Sequence, residues 1–176
     1  MRGHRWNIND LAFDVTGRFL ASAGNDGTVF IWDVRAGQEL RNLQPSHELD
    51  ATSVAFSPDG GYLASGSMDR TVKLWSAKNW KLVRTIPDVH GGVKSVAFAS
   101  DSRRLAWGGT DATVKVADAA TGQILETFYG HTGWVNSVAF SRDGEIASAS
   151  ADGTVKIWKA PPVAEPPAGE TKNHDP

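Results

Sequence analysis

The hydrophobic positions of this chain fall in short runs. Stretches of four to six residues rich in Val, Ile, Phe and Trp alternate with clusters of Gly, Pro, Asp, Asn and Ser, and the three-to-four-residue spacing of a helix face is missing. The runs repeat. Leu11-Ala12-Phe13 returns as Val54-Ala55-Phe56, Val96-Ala97-Phe98 and Val138-Ala139-Phe140, which sets the phenylalanines 43, 42 and 42 residues apart. Asp26, Asp69, Asp111 and Asp152 keep step at 43, 42 and 41, and each is followed by a Thr-Val pair that opens another apolar run. Self-similarity at this period marks a repeat architecture, and the chain reads as four copies of one unit.

Within the second unit the pattern predicts strands at 52–57, 62–67, 71–76 and 82–86. They are joined by Ser57-Pro58-Asp59-Gly60, Met68-Asp69-Arg70 and Ser76-Ala77-Lys78-Asn79. Joints this short are hairpins, so each unit is a four-stranded antiparallel meander. Val54 and Phe56 point to one face and Ala55 to the other, so both faces are apolar. A lone meander cannot cover them, whereas copies stacked face to face can. The fold class expected is all-β. The fourth unit should hold only three strands, because the chain runs after Trp158 into Pro161-Pro162 and proline cannot serve an interior ladder. That makes fifteen strands.

Composition narrows the function. With 40% hydrophobic and 22% charged residues in 176, the chain can support a packed core. Its 18 Lys and Arg against 20 Asp and Glu leave a net charge of -2, without the basic excess of a protein held to phosphate backbones or anionic lipid. The Pro-rich segment 161–176 is expected to be a disordered tail. There is no cysteine, which removes disulfides, thiol nucleophiles and thiolate zinc sites. No apolar leader and no run of about 18 apolar residues is present, so the chain is read as soluble and cytoplasmic, with no membrane partner.

A Gly-His pair followed after about 28 residues by Trp-Asp occurs in full as Gly3-His4 and Trp32-Asp33. It returns in altered form as Ser46-His47 and Trp75-Ser76, as Val89-His90 and Ala117-Asp118, and as Gly130-His131 and Trp158-Lys159. In units of about 40–45 residues this resembles the WD-repeat family of β-propellers. The resemblance covers residues 3–159, as repeats of about 3–45, 46–88, 89–129 and 130–159, within a propeller segment 1–160.

Each repeat also holds His, Ser and Asp, residue types that can form a hydrolase triad. A triad is assembled once, whereas these sets recur with the fold period and with a tryptophan in phase. The resemblance implies structural tetrads, buried chains of hydrogen bonds: His4, Ser22, Asp26 and Trp32; His47, Ser65, Asp69 and Trp75; His131, Ser148, Asp152 and Trp158. The third repeat keeps His90 and Asp111, expected to pair with each other. It has Trp107 in place of the serine and Ala117 in place of the tryptophan, a change that reads either as compensation or as decay. One histidine per repeat does not cluster into a metal site, Asn25-Asp26-Gly27 is too short for a calcium loop, and Arg103-Arg104 reads as solvated surface. No catalytic residue, metal or cofactor is expected.

The resemblance further implies that partner proteins are received on the face bearing the loops between blades and the turns between the second and third strands of each blade. Matched by position, that face holds Asn7, Asn9 and Asn25, then Asp50, Thr52 and Met68, then Gly92, Lys94 and Thr110, and finally Trp134, Asn136 and Ala151. Trp134 and Met68 stand out as bulky apolar residues expected to be exposed. The function expected is a non-catalytic scaffold for a protein or peptide. Two alternatives remain: the WD-repeat portion of a longer signalling enzyme, such as a bacterial kinase, and a nucleic-acid-binding propeller, which the charge balance disfavours. Family rings usually have seven or eight blades. Four blades without a closing strand are therefore expected either as part of a longer protein or as half of a paired, eight-bladed ring.

Overall fold

A computed structural model describes residues 3–87 and 90–163. Val89 and the tail from residue 164 onward, on which expectations were placed, lie outside the described residues. Four antiparallel sheets follow one another along the chain. The first contains β1 (Ile8–Phe13), β2 (Phe19–Gly24), β3 (Val29–Asp33) and β4 (Gln38–Asn42). The second contains β5 (Ala51–Phe56), β6 (Tyr62–Ser67), β7 (Thr71–Ser76) and β8 (Leu82–Pro87). The third contains β9 (Val93–Phe98), β10 (Arg104–Gly109), β11 (Val114–Asp118) and β12 (Ile124–Phe128). The fourth holds three strands, β13 (Val135–Phe140), β14 (Glu145–Ser150) and β15 (Val155–Lys159). Strand order within each sheet is sequential, so each is a meander, and the described residues contain no helix.

The strand expected at 52–57, β5, starts and ends one residue earlier than the sequence suggests. Ser57 belongs to the turn: its amide donates to the Tyr62 carbonyl at 2.9 Å and its hydroxyl to Asp59. The turn after each aspartate needs a residue in the left-handed region. Gly27 and Gly153 supply it freely, whereas Arg70 (φ 68) and Ala112 (φ 63) hold it with a Cβ, a conformation that disfavours side chains by about 1 kcal/mol or more.

Stability resides between the sheets. One apolar cluster joins Ala21, Val29 and Ile31 to Ala51, Val54, Leu63 and Trp75. A second joins Val72 and Leu74 to Val93, Val96 and Trp107, and a third joins Val114 and Val116 to Val135, Val138 and Ile146. The strands β1, β5, β9 and β13 contact one another in that order, and the sheets fan out from them as blades. Among the described residues, Ile8 and Leu11 of the first sheet and Val155 and Ile157 of the fourth are exposed, where their counterparts at the inner seams are buried.

Candidate functional site

In the first, second and fourth blades a hydrogen-bonded chain crosses the sheet. The Trp32 indole donates to Ser22 Oγ at 2.8 Å, Ser22 lies 2.7 Å from His4 Nε2, and His4 Nδ1 lies 3.0 Å from Asp26. Trp75, Ser65, His47 and Asp69 repeat this at 2.9, 2.8 and 2.8 Å. Trp158, Ser148, His131 and Asp152 do so at 2.8, 2.7 and 2.8 Å. Each aspartate also accepts the backbone amide that follows the histidine, from Arg5, Glu48 or Thr132. The carboxylate thereby ties the loop before the first strand to the turn between the second and third.

These bonds hold the acids ionised. Burial pushes the Asp26 carboxyl up, but Thr28, the Arg5 amide and His4 outweigh it and hold the group at about 2. Asp69 is likewise raised by burial and brought well below the carboxylate range by His47 and Thr71. Asp152 is lowered chiefly by the Thr154 hydroxyl and then by Thr132 and His131, against the upward push of burial.

The bonding order from Ser to His to Asp is that of a hydrolase, yet each serine is buried and its oxygen already accepts an indole N–H. A nucleophile needs access to substrate and donors for the oxyanion. Among the described residues, no three His, Asp or Glu side chains gather where they could hold a metal ion.

The expected partner face is built by one device in every blade. The turn residue bonds back to the inter-blade loop: Asn25 N to Asn7 O, Met68 N to Asp50 O, Thr110 N to Gly92 O and Ala151 N to Trp134 O, at 2.8 to 3.0 Å. Two positions after each loop residue the first strand bulges, at Asn9, Thr52, Lys94 and Asn136. A bulge re-aims a side chain. Asn9 Nδ2 consequently donates to Ala51 O of the next blade at 2.8 Å, and the Thr52 hydroxyl to Val93 O of the next at 2.7 Å. Asn9, Asn25, Asp50, Thr52, Met68 and Lys94 line one concavity of about 420 Å³. Asn7, Thr110, Trp134 and Asn136 stand outside it.

Family comparison accounts for this recurrence. The WD domain, G-beta repeat model matches residues 1–33, 37–76, 80–118 and 122–159. The chain belongs to the WD-repeat family. Ribosome biogenesis protein ERB1 of Coccidioides immitis is 47% identical over 47 residues, which are 27% of this WD-repeat chain and 6% of that protein. The corresponding protein of Yarrowia lipolytica is 36% identical over 50 residues, 28% and 6%. The chain thus spans a small part of the curated relatives it matches. The RRP9 WD40 repeats superpose with a TM-score of 0.86 at 30% identity, over 90% of this chain and 50% of that one. The computationally designed Ika4 protein gives 0.81 at 31%, over 90% and 94%.

Two expectations for the WD-repeat face need correction. Met68 is half-buried, because its thioether packs on Gly92, which has no side chain to hold it off, and Gly92 itself is buried beneath it. Thr110 also turns inward, accepting the Gly92 amide at 2.9 Å. Trp134 is exposed, with Lys94 Nζ 5.2 Å from its ring centroid. In the third blade Asp111 is held by an ion pair: Lys115 Nζ lies 2.5 Å from Asp111 Oδ2, and Thr113 donates to the same carboxylate. Burial raises Asp111, but Lys115 and Thr113 bring it below its ordinary value. Trp107 and Ala117 are both fully buried in one cluster. Two features escaped sequence reasoning. Trp6 is an exposed ring outside any apolar run, and a groove of about 440 Å³ runs past Asp111, Lys115 and Tyr129. The missing serine and tryptophan of the third repeat were its only signal.

Proposed function

We propose that this chain is a non-catalytic WD-repeat scaffold that receives a protein or peptide partner on the loop face of its blades. The observation that carries the reading is Trp134: 54% exposed, held against Lys94 by a cation–π contact, and close in chain and space to the bulge that bears Asn136. Tryptophan is the residue type most enriched at binding hot spots, and a preordered ring loses little freedom on binding. On the same face Asn9, Asn25, Asp50 and Thr52 line a polar concavity that reaches Lys94, with Met68 and Thr110 acting from beneath as supports.

The buried serines support the non-catalytic assignment. Relatives named for ribosome biogenesis support assembly work and lend no support to a kinase-linked enzyme or to the expected cytoplasmic location. The near balance of charges favours a protein partner over RNA. A photo-crosslinking residue at position 134, compared with one at position 103, tests the reading. A partner should be trapped from 134 alone; equal trapping from both positions overturns the assignment.

A further inference from the structure

We propose that the loop face of the second and third blades binds a peptide segment of mixed charge, its basic side chain taken by Asp50 and its acidic one by Lys94, a proposal that rests on the docking role of that face. Asn9, Asn25, Asp50, Thr52, Met68 and Lys94 line one concavity of about 420 Å³. Two opposite charges thus share one wall. Among the described residues neither makes an ion pair, with the other or with a third group. The Lys94 ammonium has only the Trp134 ring. The Asp50 carboxylate accepts no hydrogen bond, and its loop is held instead through the backbone carbonyl, which accepts from Met68 N at 3.0 Å.

The repeats show that the fold does not need these charges. Positions 7, 50, 92 and 134 share one place in the loop between blades, and only Asp50 is charged. Positions 9, 52, 94 and 136 share the bulge of the first strand, and only Lys94 is charged. Asn9 and Thr52 use that bulge to close a seam, donating to Ala51 O at 2.8 Å and to Val93 O at 2.7 Å. Lys94 makes no such bond and rests against the Trp134 ring. The needs of the seam therefore account for the amide and the hydroxyl. They leave the carboxylate and the ammonium without a role in the fold.

Much of the remaining wall is already committed. Asn9 Nδ2 donates to Asn25 as well as to Ala51, and the Thr52 hydroxyl reaches the carbonyls of Gly66 and Val93, so these side chains are ordered before a ligand arrives and lose little freedom when it does. Recognition falls to the two charges. Their opposite signs decide the class of partner, because charges at an interface exclude wrong partners and fix register more than they add affinity. An RNA strand presents phosphates alone, which Lys94 attracts and Asp50 repels. A peptide can offer an ammonium or guanidinium to the one and a carboxylate to the other. Lys94 both lines the concavity and touches Trp134, so the acid of the peptide sits between its base and the apolar residue that covers the ring.

The test is the binding of short fluorescent peptides to the 176-residue chain, read by anisotropy. The peptides carry a lysine, a glutamate and a leucine in that order with varied glycine spacing; matched peptides replace the lysine by norleucine, replace the glutamate by glutamine, or exchange the two charges. At least one spacing should bind at millimolar concentration or below, and either neutral replacement should weaken it about 2- to 5-fold, the range of a part-exposed ion pair. Asp50→Asn should abolish the preference for lysine over norleucine and keep that for glutamate over glutamine, and Lys94→Met should do the reverse. The double variant Asp50→Lys, Lys94→Asp should prefer the peptide with its charges exchanged. These variants break no bond of the tetrads or the seams, so each should melt close to the wild type. Failure of every spacing to bind, binding indifferent to both charges, or a single-stranded RNA oligonucleotide bound in preference to all the peptides would each overturn the proposal. If Trp134→Ala weakens every peptide alike while the charge variants alter no preference, the docking face stands and the assignment of its charges falls.

Discussion

Lys94 and Trp134 belong to consecutive blades, and the ammonium stands 5.2 Å from the centre of the indole ring. Such a contact contributes about 0.5–1 kcal/mol at an exposed site, enough to orient the ring and too little to hold the fold. Trp134→Ala should therefore change the melting temperature by no more than a few degrees while weakening a captured partner at least about 10-fold, as loss of a hot spot does. Paired melting and titration measurements check this. A collapsed melt with unchanged affinity in the folded fraction would assign Trp134 to the core.

Ser65 joins two buried groups, accepting from Trp75 and meeting His47 Nε2. Ser65→Ala strands both, and each unsatisfied buried group costs about 1–3 kcal/mol. A loss of about 2–4 kcal/mol is expected in denaturant unfolding, with no change in any ester hydrolysis. Esterase activity that vanishes with Ser65→Ala or Asp152→Ala would contradict the structural role.

The three low carboxylates predict how the fold fails in acid. Asp26 sits at about 2 in the folded chain against about 3.9 unfolded, so protons bind the unfolded chain more tightly. Its contribution is complete above about pH 5 and is lost as pH falls from about 4 through 2. Asp69 and Asp152, held lower still, extend the loss downward. Asp26→Asn should lower stability at pH 7 and flatten the acid limb of a melting-temperature profile. A parallel downward shift with the acid limb intact would show that the carboxylate's charge is not what matters.

What could be read from the sequence was whatever repeats. The periodic Phe and Asp fixed the number of units and strands, because every copy must present the same two apolar faces to its neighbours. The hydrogen-bonded tetrads followed from the family resemblance, which the in-phase His, Ser, Asp and Trp carry. What could not be read depends on one blade meeting the next. Asn9 and Thr52 look like surface residues in an apolar run, yet the bulge turns each toward a carbonyl of the adjacent blade. Met68 looked exposed because its cover, the bare backbone of Gly92, comes from a different repeat. Lys115 gave no sign of its ion pair, since lysine also stands at positions 73 and 156 of neighbouring repeats, where Lys73 reaches the carbonyls of Pro45 and Ser46 instead.

The third blade offers a test of whether its departures compensate. Trp107 lies on β10 and Ala117 on β11, diagonal neighbours in the ladder because Leu105 pairs with Ala117 and Trp107 with Lys115. The large ring and the small methyl share one buried cluster, so the tryptophan missing from β11 is replaced in volume by one entering from β10. Trp107→Ser alone should leave a cavity and cost about 3–5 kcal/mol, and Ala117→Trp alone should overpack the same space by about 1–3 kcal/mol. The double variant restores the residue types of the other blades, with a serine beside an indole. Its loss should fall short of the sum of the singles by at least about 1 kcal/mol, the size of coupling expected for groups in contact. Denaturant unfolding of the four proteins measures that difference. Additivity within about 0.5 kcal/mol would mean that the two positions do not fill one space, and that the third repeat lost its tryptophan without replacement.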